Sequence, residues 1–218
     1  MSKVLRISYI YSETLLLFKP YTYSFLSIIL KSLKHKIWID AGLVQFSDSG
    51  KIELNNLCRE VKLTKPSFYH VYPNWPDSRG TERFFLDMLQ ELDIRLDKLA
   101  KAMSDILDSF PIHESLDKLL KAVENNFVEF KCMAQLSSDF SNVKAQRLFQ
   151  KHHNILCTNK VRIFQEFYPD LAEETIRLIC SSILRSGYII AKNNKDIKLW
   201  RGHVLSVNRQ LYQEVYKS

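Results

Sequence analysis

The apolar positions of the chain recur at the spacing of helix faces, with almost no period-two alternation. This spacing predicts a first helix from Lys34 that ends before Gly50, because glycine readily takes the left-handed conformation that closes a helix. A second helix begins near Leu54 and ends near Lys62. With only five glycines and six prolines, the chain is predicted to be all-α.

A third helix follows at once. Thr64 stands where an N-cap belongs, and Pro66 lies in the first turn, where its missing N–H has no consequence. Helices this short are marginal alone, so the three must share a small core. The predicted core is aromatic and aliphatic: Trp38, Phe46, Leu57, Val61, Phe68 and Tyr72.

The second and third helices, joined by a tight turn, form a predicted helix-turn-helix, whose second helix would present its polar side to the DNA major groove. Lysine can bind phosphate or a guanine edge, and hydroxyl groups can bind phosphate oxygens. The spacing alone also allows a solvated face of an ordinary helical hairpin. The candidate DNA contacts on this side are Thr64, Lys65, Ser67, Tyr69 and His70.

The segment from Trp38 to Tyr72 resembles the DNA-binding domain of the tetracycline-repressor (TetR/AcrR) family of bacterial regulators. The resemblance implies that the five polar residues contact DNA, and that Lys34 and Lys36 face phosphates. Lys62 departs from the family, which has glycine there, and a left-handed lysine costs about 1 kcal/mol. The matching residues are Ala41, Gly42, Phe46, Gly50, Leu57, Cys58 and the run KLTKPSFYHVY.

The remainder of the chain also has helical spacing. A long amphipathic helix begins beyond Gly80 and stops at Pro111; in the family this helix transmits motion to the DNA-binding part. The other predicted segments are Glu114–Leu136, Asn142–Phe167, Leu171–Lys192 and Ile197–Tyr216, with a break at residues 168–170.

The resemblance implies that the last two helices dimerise as a four-helix bundle. A two-fold protein can read two half-sites, whereas a single helix-turn-helix contacts little DNA. The same apolar residues could instead fill the core of a single chain. The candidates for the seam are Ile176, Ile179, Ile183, Leu199, Val204, Val207 and Leu211.

The middle helices are predicted to surround a pocket for an unknown small-molecule effector. Aromatic stripes of this kind also occur in ordinary cores. The residues KHHN (151–154) do not predict a metal site, because adjacent histidines on a helix point about 100° apart. The candidates for the pocket are Phe127, Phe130, Met133, Phe149, His153 and Phe164.

Charge and composition add the cellular setting. Residues 1–79 contain 11 Lys+Arg against 6 Asp+Glu, which suits a polyanionic partner. The four cysteines are scattered singly, as in a reduced cytoplasmic protein. Lys19 and Pro20 interrupt the apolar stretch of residues 14–30, so we expect no stable membrane insertion. That stretch could be an added helix, a weakly ordered tail or an upstream stretch not made in the cell.

We therefore predict an extension at residues 1–33, a DNA-binding domain at 34–79 and an effector-binding and dimerisation domain at 80–218. The predicted function is a homodimeric regulator of transcription, a repressor that binds double-stranded DNA under effector control. The alternative is a helical interaction protein that keeps the scaffold, has lost specific DNA binding and associates with membrane through its N-terminal segment. No catalytic, metal or cofactor motif is recognisable, so no enzyme is expected.

Overall fold

The computed structural model of the chain describes residues 19–138, 142–193, 198–202 and 206. Over these residues the secondary structure is helical and includes no strand, so the predicted all-α class is confirmed. Residues 198–202 form a further helical segment. The helices are α1 (Lys19–Ser49), α2 (Leu54–Val61), α3 (Lys65–Val71), α4 (Gly80–Ser109), α5 (Ile112–Asn125), α6 (Phe127–Leu136), α7 (Val143–Phe167) and α8 (Glu173–Asn193).

The first helix is longer than the apolar spacing predicts. α1 begins at Lys19, with Pro20 in its first turn, where a helix N–H has no internal acceptor. Residues 19–33 therefore continue α1, and the predicted boundary at residue 33 falls inside this helix; residues 1–18 lie outside the described part. Among the described residues, no helix is long and apolar enough to cross a membrane.

The turn between α2 and α3 is fixed by two residues. Lys62 has a left-handed backbone, with φ 55° and ψ 36°, a conformation that glycine adopts more readily. The N–H of Leu63 then donates to the carbonyl of Cys58 at 3.1 Å. Thr64 is the N-cap of α3, and its Oγ1 accepts a hydrogen bond from the Ser67 N–H at 3.4 Å.

The core of the three-helix unit continues into the C-terminal helices. The Phe68 ring lies edge-on to the rings of Trp38 and Phe84, each at a centroid distance of 5.3 Å. Val61, which was predicted to lie in the core, is only partly buried and packs at its edge. The fully buried members of the unit and of adjoining α4 are Trp38, Phe46, Leu57, Phe68, Tyr72, Phe84 and Met88.

α4 is fitted closely against the three-helix unit at two glycines. A Cβ atom on Gly80 would lie 1.9 Å from the carbonyl oxygen of Tyr72, and the Gly80 N–H donates to Asn74 Oδ1 at 2.7 Å. A Cβ atom on Gly42 would lie 2.6 Å from Cζ of Phe84. Backbone contact therefore ties the end of α3 to the start of α4.

The predicted segment from Glu114 to Leu136 is two helices rather than one. Asn126 breaks it with φ −121° and ψ 37°, while its Nδ2 donates to the carbonyl of Ala122 at 2.8 Å at the end of α5. α6 packs against α1 and α8, and α7 packs between α4 and α8. Asn142 starts α7, because its Oδ1 accepts hydrogen bonds from the N–H groups of Lys144 and Ala145.

Candidate nucleic-acid interface and ligand cavity

The polar side of α3 faces solvent. Lys65, His70 and the cap residue Thr64 are exposed, and Ser67 is half-buried. Tyr69 is 36% exposed, and its ring lies edge-on to buried Phe68 at 5.4 Å. The core thus fixes the ring of Tyr69 without covering it. α3 and its N-cap therefore present an ammonium, two hydroxyls, a phenol and an imidazole, each exposed or half-buried; we call this set of residues the α3 edge.

The turn between α2 and α3 adds the side chain of Lys62, which was not among the predicted DNA contacts. Lys62 is exposed at the C-terminal end of α2, two residues before Thr64, the N-cap of α3. Arg59, in the last turn of α2, is also exposed and hydrogen-bonds Asn56 Oδ1. A surplus of lysine and arginine within a few residues of a candidate recognition helix was the signal that could have identified both.

The basic residues of α1 are placed differently from the prediction. Lys36 is exposed and Lys34 is half-buried, but both lie within a continuous helix rather than at its N-terminal end. His35, between them, points to α4, where its Nε2 lies 3.1 Å from Asp87 Oδ2. The phosphate contact implied for Lys34 and Lys36 therefore depends on their side chains alone.

The loop from α3 to α4 has its own small structure. Trp75 and Ser78 exchange two backbone hydrogen bonds of 2.9 and 3.3 Å. The guanidinium of Arg83 lies 3.8 Å from the centroid of the Trp75 ring, a cation–π geometry. Arg79 is exposed at the N-cap of α4, and its N–H donates to Glu82 Oε2 at 3.3 Å.

A cavity of about 110 Å³ lies among the C-terminal helices and the helical segment 198–202. Its wall is mostly aliphatic and aromatic, with contributions from α4, α5, α6, α7 and α8. Two of the six residues predicted for an effector pocket, Phe130 and Phe164, line this cavity.

The other four predicted pocket residues do not line this cavity. Phe127 packs against the Trp200 ring at 5.9 Å, and Met133 is fully buried in the core. Phe149 stacks on His153 at 5.3 Å, and His153 Nε2 lies 3.0 Å from Ser181 Oγ. Burial and the charge of Arg185 lower the pKa of His153, which favours its neutral form. A helix that packs between two neighbours turns successive aromatic residues to different sides.

Three nitrogen groups interrupt the apolar wall of the cavity. Asn159 is 8% exposed and Trp200 is 3% exposed, and neither Asn159 Nδ2 nor Trp200 Nε1 has a hydrogen-bond partner among the described residues. Half-buried Lys160 is the third group. None of the three was predicted to line a pocket. The signal for Lys160 was its position four residues after Leu156 and four before Phe164, on the inward face of α7.

Polar contacts join α6 to α1, the first helix of the three-helix unit. Lys131 forms an ion pair with Asp48 of α1, and Gln135 Nε2 donates to the carbonyl of Ser47 at 3.0 Å. Arg95 of α4 joins Asp40 of α1 to Glu129 of α6. α6 is thus held to α1 by charge pairs and hydrogen bonds, as well as by apolar packing.

The apolar face of α8 that was predicted to form a dimer seam is largely used within the chain. Ile176 is 1% exposed and packs in a cluster with residues of α7, so it cannot reach a second copy. Ile179 is half-buried in the same cluster, and Ile183 lines the cavity. Leu199 is 59% exposed. Val204, Val207 and Leu211 lie outside the described residues.

A different face of α8 is open. Leu178 is 71% exposed and Ile189 is 62% exposed. These residues are eleven positions apart, which brings them to the same side of a helix. The sequence pattern concealed this face because α8 carries apolar residues on both sides.

Asp93, Asp97 and His152 bring three potential metal-ligand atoms within 4.8 Å of one another. Lys151 Nζ already bridges the two carboxylates, at 2.7 Å from Asp93 and 2.9 Å from Asp97. His152 Nε2 lies 2.7 Å from Asp93. The cluster is therefore an ion-pair network between α4 and α7, and it explains the buried position of His152.

No protein-family model and no curated protein sequence matches the chain. Among solved structures, it is similar to the crystal structure of a TetR transcriptional regulator from Legionella pneumophila. The TM-score is 0.57 and the sequence identity is 13%, with 80% of this chain and 95% of that chain covered. The chain therefore has the TetR-like fold, as the resemblance of residues 38–72 predicts.

Proposed function

We propose that the protein is a homodimeric regulator of transcription that binds double-stranded DNA through α3. The observation that carries this proposal is the exposed polar edge of α3, held by a buried helix-turn-helix core on a TetR-like fold. Lys65, Lys62 and His70 supply charge or hydrogen bonds to phosphates, and Tyr69 supplies a rigid phenol.

The proposed mode of action is repression that ends when a small molecule enters the cavity. Phe130 lines the cavity, while its neighbours Glu129 and Lys131 contact Arg95 and Asp48. A ligand that displaces Phe130 would strain these ion pairs and shift α1 with the three-helix unit. Such a ligand changes DNA affinity only to the extent that it binds the two arrangements differently.

The proposed dimer uses the open face of α8, with Leu178 and Ile189 at its centre. Single exposed apolar residues are ordinary, but two large ones aligned on one helix suit a helix–helix seam. The four cysteines are free, which fits the reducing cytoplasm where DNA is regulated. Leu178→Arg is expected to shift the protein from dimer to monomer in sedimentation analysis.

The decisive experiment measures DNA binding against salt. A pool of randomised duplexes serves to select the preferred site, and the selected duplex is then titrated at two salt concentrations. Binding through phosphates must weaken as salt rises, with a slope proportional to the number of phosphates neutralised. Lys65→Ala is expected to reduce that slope by about one for each α3 that binds, because one cation is lost per copy.

Tyr69→Ala tests the same edge without a change of charge. We expect it to weaken binding to all duplexes, selected or random, because its phenol contacts phosphate. Lys101→Ala is the matched control, since Lys101 is exposed on α4 and lies about 30 Å of helix from Gly80. Unchanged affinity in both Lys65→Ala and Tyr69→Ala contradicts the proposed interface and favours a scaffold without specific DNA binding.

A further inference from the structure

The cavity holds more hydrogen-bond donors than acceptors. Asn159 Nδ2 and Trp200 Nε1 are buried without partners, although buried donors are nearly always paired. A buried N–H group without a hydrogen-bond partner lowers stability by about 1–3 kcal/mol, so two such groups in one cavity lower it substantially. The group that relieves this cost must accept hydrogen bonds.

Lys160 adds a positive charge to the same wall. Among the described residues no carboxylate pairs with its ammonium, which lies 5.9 Å from the centroid of the Phe164 ring. Burial lowers the pKa of Lys160 to about 8, so the ammonium still predominates at neutral pH. A cation in an apolar wall is more stable when an anion pairs with it.

The thiols near Lys160 do not supply that anion. Cys157 of α7 and Cys180 of α8 interact with the Lys160 charge. Burial raises the pKa of both thiols, that of Cys180 to about 11. Both thiols are therefore neutral at pH 7, and the charge of Lys160 is left uncompensated by them.

We infer that the cavity binds a small apolar carboxylic acid, with its carboxylate on Lys160, Asn159 and Trp200 and its hydrocarbon body against Phe130 and Phe164. The three nitrogen groups match the acceptor capacity of one carboxylate. The body is compact, about the size of one ring or a short chain, because the cavity of about 110 Å³ is of the same order as an apolar cavity of about 150 Å³ that holds one benzene.

This inference rests on the proposed function only in taking the cavity as the effector site, so its test uses the full chain without DNA. Benzoate and hexanoate are the acidic probes, and benzyl alcohol and 1-hexanol are their neutral counterparts of similar shape. In calorimetric titrations at pH 7 we expect each acid to bind at least about ten-fold tighter than its alcohol, the gain of one charge-assisted hydrogen bond. Inorganic phosphate, which lacks the apolar body, is expected not to bind.

Lys160→Met tests the charge while it keeps the length of the side chain. We expect this variant to lose the preference for acid over alcohol, whereas Lys144→Met, at an exposed position of the same helix, keeps it. Lys160→Met is not expected to unfold the chain, because it replaces an uncompensated buried charge by an apolar group.

Nuclear magnetic resonance gives a direct view of the donors. The chain has three tryptophans and hence three indole N–H signals, of which Trp200→Phe identifies one. Benzoate is expected to move the Trp200 signal far more than that of Trp38, which is also buried and unpartnered but lies outside the cavity wall. A Trp200 signal that stays fixed while benzoate binds overturns the assignment.

The remaining outcomes are equally decisive. Equal affinity for acids and alcohols, or no binding of any probe at about 10 mM, overturns the inference. Acid binding that leaves DNA affinity unchanged upholds the inference and contradicts effector control. DNA binding by a protein that takes up no acid upholds the proposed interface and contradicts the inference.

Discussion

The edge of α3 and the wall of the cavity both present nitrogen groups suited to anions, but they do so in opposite surroundings. Lys65 and His70 are exposed, so water satisfies them until a partner arrives. Asn159 and Trp200 are buried, with donors that have no partner among the described residues. The surface cations are therefore stable without a bound anion, whereas the buried donors of the cavity are satisfied only by a group that accepts hydrogen bonds.

This difference decides which partner each region can distinguish. Surface cations bind any polyanion and lose affinity as salt rises, so their selectivity must come from the geometry of two copies. Buried donors discriminate strongly, because a ligand that cannot accept their hydrogen bonds leaves them unsatisfied. The two regions thus correspond to a broad electrostatic interaction and a narrow chemical one.

The largest expected effect tests whether the α3 edge has a fixed position. Gly80→Ala places a Cβ atom 1.9 Å from the Tyr72 carbonyl oxygen, a backbone atom that cannot move aside cheaply. We expect a loss of about 3 kcal/mol in the free energy of unfolding and a loss of DNA binding. Chemical denaturation measures the first effect and duplex titration the second.

Gly202→Ala is the matched control for this prediction. A Cβ atom on Gly202 meets nothing within 4 Å among the described residues, so its stability is expected to change by less than about 1 kcal/mol. Equal stability of the two variants would show that the end of α3 is not fixed by α4.

The next effect concerns pH and the cavity. Raising the pH from about 7 to 9.5 deprotonates Lys160, whose pKa burial lowers to about 8, so benzoate is expected to bind roughly ten-fold more weakly. Cys157 and Cys180 are the titratable groups that face Lys160, and because their pKa values are raised they lose protons later than Lys160 does. Lys160→Met is expected to show a flat profile in the same calorimetric titration.

A smaller effect tests the cost of the unpaired donors. Asn159→Leu removes a buried amide without a partner and keeps the size of the side chain, so the empty chain is expected to gain about 1 kcal/mol of stability. Asn126→Leu is the contrasting variant, because Asn126 Nδ2 has a partner in the Ala122 carbonyl. Asn126→Leu is expected to lose about 1 kcal/mol of stability. A loss of stability in both variants would mean that the Asn159 amide has a hydrogen-bond partner in solution.

The smallest effect returns to the exposed region. Lys62→Gly relieves a left-handed lysine with φ 55° and is expected to raise stability by about 0.5–1 kcal/mol while it weakens DNA binding. The same change at Lys101, within α4, is expected to lower stability by about 1 kcal/mol. Thermal melts and duplex titrations check both, and tighter DNA binding by Lys62→Gly would exclude Lys62 from the interface.

The two regions also differ in how far the sequence predicts them. Caps and turns depend on residues next to each other in the chain, so the N-cap at Thr64 and the left-handed Gly50 could be predicted, as could the TetR-like fold. Periodicity does not say where an apolar run must break, and for that reason the helix end at Asn126 was missed.

The cavity could not be predicted in the same way, because it depends on contacts between distant helices. An aromatic stripe does not distinguish a cavity wall from a packed core, so it could not show that Met133 and Phe149 lie outside this cavity. Lys160 and Asn159 are polar residues of a type usually exposed, and only the packing of α7 against its neighbours places them in the cavity wall. Likewise Ile176 and Leu178 are both aliphatic residues of α8, and only the packing of the helices buries Ile176 and leaves Leu178 exposed.

The contacts between α1 and α6 affect the thermal unfolding of the molecule. Because one apolar core and the Lys131–Asp48 pair join the three-helix unit to the C-terminal helices, we expect neither part to unfold independently. We expect a single calorimetric peak, and an occupant of the cavity should protect α3 from heat and proteases although it never touches that helix.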